Sequence, residues 1–334
     1  MTLRARNLSL ILFTVIGIAL LCIGLWLHGF VTTAVTPQGP TVLDIKPGSS
    51  FTQIAGQLEE SGVISDARRF TLLARWHKAT GQIHAGQYLF EFAATPDQVL
   101  ARLVAGDIRK FQVTIPEGFT LREIAARLEK IGIGSADEIL ELCHDAEFLT
   151  ELHVDAASLE GYLYPETYTY TASTTPRQLL QAMVAQLQAQ LTPELLERAA
   201  ARKLNRHQLI TLASIIQKEA GNVMEMPLIS AVFHNRLQKG IALQADPTVI
   251  YGIKDFNGNL TRKHLKTPTP YNTYTIRGLP PGPISSPGQF ALLAAADPAP
   301  SKDLYFVARG DGTHEFSATL QAHNQAVRRY QLRR

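Results

Sequence analysis

The chain has 334 residues, enough for about two domains of roughly 150 residues each. Hydrophobic residues make up 46% and charged residues 18%, which excludes a disordered or fibrous chain. The net charge of +3 is too small to indicate nucleic acid as a partner. Two cysteines exclude a disulfide framework or a zinc ribbon, and the ten histidines show no metal-ligand spacing. The sequence therefore predicts no metal site and no cofactor.

An uncharged apolar segment near the N-terminus predicts a membrane helix. Residues 8–27 would span a hydrocarbon core of about 30 Å at about 1.5 Å per residue. Arg4 and Arg6 precede the segment, whereas the next Lys or Arg after it is Lys46. This asymmetry predicts a cytoplasmic tail at 1–7, a single pass through the inner membrane and a periplasmic location for the rest.

Two other interpretations of the segment are weaker. A cleaved signal peptide has a shorter apolar region and a small-residue cleavage site, which Thr32-Thr33-Ala34 does not supply. A lipoprotein signal at Cys22 is disfavoured because Leu21 precedes it rather than a small residue. The sequence thus favours a retained anchor, followed by a linker at 28–41 whose Pro/Gly/Thr-rich part, 31–41, is predicted to be a short extended tether.

A weak internal repeat follows the linker. Ile45-Lys46-Pro47-Gly48 and Ile115-Pro116-Glu117-Gly118 each lead into a stretch with apolar residues at helical spacing. Each copy predicts a short strand, a glycine turn and an amphipathic helix, and the alternation in 86–92 predicts another strand. Two copies are too few for a solenoid, so 42–155 is predicted to be a small α+β region.

The amino-acid composition of the chain changes after Gly161. The run 161–170 reads GYLYPETYTY and adds Glu166 to the nearby Glu160; a helix-rich stretch, 176–238, and a Pro/Gly/Asn/Thr-rich stretch, 245–287, follow. Long irregular segments in compact domains are usually functional. Aromatic, acidic and amide side chains suit a saccharide groove. The alternative is a tyrosine-rich core corner beside an ordinary surface loop.

Glu219 is the candidate catalytic residue. In the predicted helix 208–220 it lies between the directions of Ile215 and Ile216, on the apolar face. Desolvation there would raise the pKa of the carboxyl group and keep it protonated, as a general acid requires. The alternative is a glutamate that reaches outward at the helix end, before Gly221, or pairs with an arginine.

Further polar and aromatic residues follow Glu219 in the chain. A second amphipathic helix, 228–237, carries Asn235 on its apolar face, as either a structural hydrogen bonder or a site residue. The segments LQADPTVIYG and TPYNTYTIRGLPPGPI supply the remaining candidates, which are Gln244, Asp246, Tyr251, Tyr271, Asn272 and Tyr274.

These segments resemble the YceG-like (MltG) family of endolytic murein transglycosylases. The matching runs are LEGYLYPETY, LASIIQKEA, AVFHNRLQKGIALQADPTVIYG, TPTPYNTYTIRGLPPGPISSPG and LYFVARGDGTHEFSATLQAHN. The resemblance implies a fold of α+β class, with the anchor, a LysM-like region at 42–155 and a larger α+β catalytic domain at 156–334. Family members often carry an acidic residue where this chain has Gln217, which puts an auxiliary role there in question.

The resemblance also implies a reaction, the cleavage of MurNAc–GlcNAc bonds in nascent peptidoglycan to give 1,6-anhydro-MurNAc ends and terminate strand elongation. Glu219 would serve as acid and then as base. One carboxyl group suffices because the nucleophile, the MurNAc 6-hydroxyl, belongs to the substrate. The predicted substrate-binding residues are Gln244, Asp246, Asn272, Tyr274, Tyr271, Asn235, Glu160 and Glu166.

Two other functions remain open. A glycoside hydrolase would use a second carboxylate, Asp246 or Glu160, to orient a water molecule. A non-catalytic wall-binding scaffold would use the strand–helix modules and the aromatic groove. The predicted partners are glycan strands, the membrane and, by family analogy alone, peptidoglycan synthases.

Overall fold

The computed structural model describes residues 3–332, and within the first helix it describes side chains from residue 13 onward except that of residue 23. The side chains of the predicted cytoplasmic tail, including Arg4 and Arg6, lie outside the described residues. The chain divides into two compact units, Met1–Phe111 with Thr169–Ser173, and Gln112–Tyr168 with Thr174–Arg334. The predicted boundary at residue 155 therefore lies inside the second unit. The mixed α+β class is confirmed.

The first unit is built on a strand–helix–helix–strand arrangement. Its elements are α1 (Leu3–Thr32), β1 (Thr41–Ile45), α2 (Phe51–Glu60), α3 (Ala67–Trp76), β2 (Gly86–Phe90) and α4 (Pro96–Ala105). β1 and β2 pair antiparallel, with Leu43 opposite Tyr88. Tyr88, Phe70 and Leu58 are fully buried between this sheet and the helices, so the unit has its own core.

The remaining elements are mostly helical. They are β3 (Phe111–Thr114), α5 (Leu121–Lys130), α6 (Ala136–Leu142), α7 (Ala146–Glu151), β4 (Thr167–Tyr170), α8 (Pro176–Gln190), α9 (Pro193–Ala201), α10 (Arg206–Glu219), α11 (Met226–Gln238), α12 (Asp246–Tyr251), α13 (Arg262–Lys266), α14 (Gln289–Ala296), β5 (Tyr305–Ala308), β6 (His314–Ser317) and α15 (Leu320–Tyr330). β3 pairs with β4, and β5 with β6. The predicted helices 208–220 and 228–237 are confirmed as α10 and α11, and the irregular stretch 245–287 contains only two short helices.

Both copies of the sequence repeat form the predicted local structure. In each, a strand is followed by a glycine in the left-handed region, Gly48 with φ 81° and Gly118 with φ 76°. Each helix then begins at a capping box, with Ser50 and Thr120 accepting the backbone N–H three residues on. The two copies lie in different units, so the repeat is one of local structure.

α1 is longer than the predicted membrane segment. It includes residues 28–32 of the predicted linker, because Phe30 inserts into the core of the first unit and is only 5% exposed. Beyond the helix, the backbone of Val35 pairs with that of Ala94. The first five residues of the predicted linker at 28–41 are therefore helical, and the extended tether predicted at 31–41 has its first two residues in α1. Within the described residues, Phe13–Thr32 is the candidate membrane span by length and composition.

The tyrosine-rich run belongs to the core of the second unit. Tyr162, Tyr164 and Tyr168 are 8% exposed or less. The Tyr168 hydroxyl donates to the backbone carbonyl of Tyr164, and the Tyr162 hydroxyl lies 2.8 Å from Nδ1 of His207. Of the two interpretations of this run, the core corner is the one that the structure shows.

α10 lies at the centre of the second unit. It packs on α14 and α11, and every residue from Leu209 to Ile216 is buried. Ser214 connects it to the irregular segment before α14, because its hydroxyl accepts the backbone N–H of Ile284 at 3.0 Å and donates to Thr211 O at 2.7 Å. This bond fixes the irregular segment against the helix that ends at Glu219.

We predict that Ser214→Ala lowers the free energy of unfolding by about 1–3 kcal/mol, because it leaves the buried N–H of Ile284 without an acceptor. Ser230→Ala is the matched control: Ser230 is also fully buried, on α11, but its hydroxyl has no partner in the described part of the chain. The control should be neutral or stabilising. Denaturant unfolding of the detergent-solubilised protein measures both, and equal losses would contradict the prediction.

Candidate functional site

Glu219 is the last residue of α10 and lines a cleft of about 500 Å³ in the second unit. Leu212, Ile215 and Ile216 of the same helix face are fully buried, and they hold the end of α10 in the core. The Glu219 side chain is consequently half-buried, with its carboxyl group facing the cleft rather than bulk water. The predicted position on the apolar face explains this placement.

The environment of Glu219 favours the protonated carboxyl group. Burial and the nearby negative charge of Asp246 raise the pKa of Glu219 to about 8, while the positive charge of Arg236 opposes the shift. A carboxylate at a helix C-terminus is further disfavoured by the helix dipole. In the described part of the chain the Glu219 carboxyl group has no hydrogen bond or ion pair. The raised pKa therefore favours the protonated group at neutral pH, and the carboxyl group faces the cleft where a ligand could reach it.

Arg236 is a cleft residue that the sequence analysis did not single out. Its side chain, only 7% exposed, is held by backbone carbonyls: Nε donates to Leu304 O at 2.6 Å and Nη1 to Leu243 O at 2.8 Å. Its guanidinium also lies 5.1 Å from the ring centre of Tyr305. These bonds keep a positive charge near Glu219 without forming a salt bridge to it. The signal in the sequence that could have indicated Arg236 was its position on α11, next to the predicted Asn235.

Three of the predicted substrate-binding residues, Gln244, Asp246 and Tyr274, line the same cleft as Glu219. The Tyr274 hydroxyl donates to Asp246 Oδ1 at 2.6 Å. Buried Thr273 joins the two segments, since its backbone carbonyl accepts the N–H of Gln244 and its hydroxyl accepts that of Ala245. The structure thus brings together segments that are about thirty residues apart in the chain.

The opposite wall of the cleft comes from the C-terminal part of the chain. Its ring-bearing residues are Tyr305, Phe306, His314 and His323. His314 is oriented by Glu225, which accepts from its backbone N–H at 2.9 Å and lies 2.8 Å from its Nδ1. The ring of His323 stacks on Tyr305 with 5.2 Å between centres. The sequence analysis named no residue in this wall, although the run LYFVARGDGTHEFSATLQAHN belongs to the resemblance.

A close backbone approach holds the β5–β6 hairpin against the end of α10. A Cβ atom at Gly221 would lie 2.6 Å from the carbonyl oxygen of Gly312, at the hairpin turn. Asn222 adds a side-chain hydrogen bond of 3.2 Å to the same oxygen. Gly221 is therefore required two residues after Glu219, because any side chain there would push the hairpin away.

Asn235 and Asn272 lie outside the lining of the Glu219 cleft and bond to backbone. Asn235 Nδ2 donates to the carbonyls of Ser301 and Asp303, at 3.0 and 2.9 Å. Fully buried Asn272 donates to three carbonyls at the end of α13, the shortest contact being 2.7 Å to Thr267 O, and accepts the N–H of Tyr274. Asn272 thereby positions the cleft residue Tyr274 without lining the cleft itself.

Glu160, Tyr271 and Glu166 also lie away from the cleft. Glu160 is 5% exposed and accepts the backbone N–H of Leu121, at the start of α5, and the hydroxyl of Tyr251 at 3.1 Å. Burial raises the pKa of Glu160 to about 7. Tyr271 packs on Tyr251 with ring centres 4.8 Å apart, and Glu166 is exposed.

Gln217 has a structural partner. Its Oε1 atom accepts the backbone N–H of Gly288 at 2.9 Å, just before α14. A carboxylate oxygen accepts such a bond equally well, so the glutamine preserves this contact. Across the described residues, no group of three or more His, Cys, Asp or Glu side chains could hold a metal ion.

Comparisons with known proteins find one matching family and relatives that share one name. The model of the YceG-like family matches residues 43–329. The endolytic murein transglycosylase of Bacillus subtilis strain 168 is 32% identical over 304 residues, which cover 86% of this chain and 84% of that protein. The protein of the same name from Streptococcus pneumoniae D39 is 28% identical, over 79% of this chain and 53% of that protein.

A solved structure is similar over the same extent. The YceG-like protein lmo1499 of Listeria monocytogenes is 32% identical to this chain and superposes with a TM-score of 0.60. The match covers 86% of this chain and 99% of that one.

We predict that Gly221→Ala reduces activity at least about tenfold while Glu219 itself is intact, because a displaced hairpin opens the second wall of the cleft. Gly56→Ala is the control: Gly56 lies within α2 and a Cβ there meets nothing within 4 Å. It should leave activity unchanged and stabilise by up to about 1 kcal/mol. Turnover of glycan substrate and thermal unfolding test both variants. Full activity of the Gly221 variant would contradict this account of the hairpin.

Glu219→Gln is predicted to stabilise the protein in a pH-dependent way. The folded-state pKa of about 8 lies above the ordinary value of 4.5, so the folded protein holds this proton more tightly than the unfolded chain. The resulting stability is present below pH 4.5 and is lost as the pH rises towards 8. Glutamine stays neutral throughout. At about pH 9 the variant should therefore be about 1–3 kcal/mol more stable than the wild type, after discounting for partial exposure, with little difference at about pH 5.

Thermal unfolding at the two pH values measures the effect. Glu166→Gln, the same substitution at an exposed residue outside the cleft, is the matched control. An equal offset for the Glu219 variant at both pH values would show that burial does not control its ionisation.

Proposed function

This chain belongs to the YceG-like family, and from that premise we propose that it is a membrane-anchored endolytic murein transglycosylase. It cleaves the MurNAc–GlcNAc bonds of nascent glycan strands and leaves 1,6-anhydro-MurNAc ends, which terminate strand elongation. The family model matches residues 43–329, which include parts of both units, and the Bacillus subtilis relative named endolytic murein transglycosylase aligns with 86% of the chain.

The observation that carries the proposal is the position of the Glu219 carboxyl group, which is half-buried and lines a cleft that is large enough for a ligand. This environment raises the pKa of Glu219 to about 8. A general acid must hold its proton at the working pH and face the substrate, and Glu219 meets both conditions.

The reaction then needs no second carboxyl group. Glu219 donates its proton to the glycosidic oxygen as the C1–O bond breaks and positive charge develops at C1 of MurNAc. The Glu219 carboxylate next removes the proton from the 6-hydroxyl of the same sugar, and that oxygen bonds to C1. The proton returns to Glu219, the GlcNAc oxygen leaves as a hydroxyl, and no water is consumed. Because the nucleophile is intramolecular, its proximity lowers the barrier by up to about 7–11 kcal/mol.

Arg236 supports the step of this reaction in which Glu219 is an ionised carboxylate. Its guanidinium is fixed by backbone carbonyls and its charge favours the ionised form of Glu219. The carboxylate that exists between the two proton transfers is therefore stabilised, while burial and Asp246 keep the resting group protonated. The opposed influences suit a residue that acts as acid and then as base.

We assign substrate contacts to the residues that share the cleft. Gln244, Asp246 and Tyr274 offer amide, carboxylate and hydroxyl groups to sugar hydroxyls and to the N-acetyl group. Tyr305 and His323 supply ring faces on the other wall. We place Asn235, Asn272, Tyr271, Glu160 and Glu166 outside direct substrate contact, as residues that shape or support the fold.

The cellular location follows from α1. We propose that it spans the inner membrane with its N-terminus in the cytoplasm, so that the cleft faces the periplasm. The strand–helix–helix–strand part of the first unit is our candidate for the LysM-like module within 42–155. An enzyme that is held at the membrane meets strands as they are made, and peptidoglycan synthases are its proposed partners.

A glycoside hydrolase is the second candidate, because Asp246 lines the same cleft as Glu219. An inverting hydrolase would use Asp246 to activate water, and its products would be one water heavier, with reducing ends. The hydrogen bond from Tyr274 to Asp246 suits an anchoring role for that carboxylate as well. The products distinguish the two reactions.

The test is mass spectrometry of peptidoglycan digested by the full-length protein in detergent. We expect anhydro-MurNAc ends from the wild type and at least about a hundredfold fewer from Glu219→Gln. Asp246→Asn should give fewer products of the same anhydro type. Reducing ends that disappear in the Asp246 variant would establish the hydrolase, and cleavage that persists in Glu219→Gln would overturn the assigned role of Glu219.

A further inference from the structure

The outer face of α3 exposes large apolar side chains among arginines. Trp76 is 86% exposed and Leu72 is 50% exposed, although both belong to a helix whose other face, with Phe70 and Ala74, is fully buried. At 100° per residue, Arg68, Arg69, Leu72, Arg75 and Trp76 fall on one continuous stripe. We call these five residues the α3 stripe.

The α3 stripe begins beside the candidate membrane helix. The guanidinium of Arg69 lies 3.8 Å from the ring centre of Trp26 and 5.8 Å from that of Phe30, both on α1. Trp26 is in the last turn of the apolar segment 8–27, at the depth where tryptophan is typical of a membrane–water interface. In a chain anchored by α1 as proposed above, α3 would therefore meet α1 at the level of the outer membrane surface.

From these contacts we propose that the α3 stripe lies on the outer leaflet of the same bilayer that α1 spans, with Leu72 and Trp76 among the headgroups and Arg68 and Arg75 on anionic lipid phosphates. The inference rests on the proposed anchoring by α1. It adds a second membrane contact, made by the folded part of the first unit.

The chemistry of the stripe matches a lipid surface. α3 carries three arginines and no acidic residue, and its N-cap, Asp66, pairs with Arg69 at 3.3 Å, which leaves the exposed Arg68 and Arg75 to face a ligand. Exposed Trp and Leu together with Arg characterise helices that lie in the headgroup region. Each basic side chain near an anionic surface contributes about 1 kcal/mol.

The first unit would then be held at two points. Phe30 inserts into its core at the end of α1, and the α3 stripe would rest on the lipid, so the unit could not rotate freely about the membrane helix. A module that is fixed in this way presents the same side to the glycan layer at all times.

The chain has two tryptophans, which makes the contact measurable. In Trp26→Phe, Trp76 is the sole tryptophan and the ring beside Arg69 is retained. The full-length variant is reconstituted in vesicles of equal parts phosphatidylglycerol and phosphatidylcholine, with and without brominated acyl chains. We expect emission shifted to the blue, quenching by the brominated lipids, and acrylamide quenching at least about twofold weaker than for a fully exposed tryptophan. Adding Arg68→Gln and Arg75→Gln should weaken the lipid quenching.

The matched control has one tryptophan at an exposed position on another helix of the same unit. Glu60 is exposed at the end of α2, so Glu60→Trp with Trp26→Phe and Trp76→Phe should be quenched by acrylamide and not by lipid. Equal quenching of the two tryptophans by acrylamide and by brominated lipid would overturn the proposal. A blue shift of Trp76 emission that needs only added glycan strands, without lipid, would overturn it as well.

Carbonate extraction of the same vesicles separates this result from a failure of the anchor. Protein that stays in the membrane while Trp76 remains accessible to acrylamide contradicts the α3 contact alone. Protein that is extracted contradicts the anchor and, with it, this inference.

Discussion

The burial of one carboxyl group at the end of α10 is the constraint on which the site depends. α10 is buried along most of its length, and Glu219 is its last residue, at the negative end of the helix dipole and near Asp246. Each of these factors disfavours a negative charge. The fold tolerates the group because it can remain protonated, and the same property suits the acid role that we propose for Glu219.

The remainder of the cleft is organised around that helix end by backbone interactions. Arg236 is fixed by carbonyls, Thr273 joins the segment of Asp246 to that of Tyr274, and the hairpin reaches its place because Gly221 has no side chain. Loops that are held in this way position polar groups almost as firmly as regular elements do. The long irregular stretch between α11 and α14 therefore supplies cleft residues and also holds them in position.

The first unit serves a different purpose from the second. It holds the end of α1 by burying Phe30 and by stacking Arg69 on Trp26, so the chain leaves the apolar helix directly into folded structure. If α1 anchors the chain as proposed, this short, folded connection limits how far the first unit can move from the membrane. Such a connection is consistent with an enzyme whose substrate is made at the membrane surface.

The sequence by itself determined the local structure and the position of the candidate acid, Glu219, on a buried helix face. Spacing of apolar residues predicted α10 and α11, the two repeat copies and the position of Glu219, because these depend on neighbours within a few turns. Only the tertiary structure decided which polar residues meet Glu219. Asn235 and Asn272 were predicted for the site, yet they bond to carbonyls behind it, while Arg236, His314 and His323 come from elements that are near Glu219 only after folding. Phe30 likewise needed a core to bury it, and so the first five residues of the predicted linker are helical.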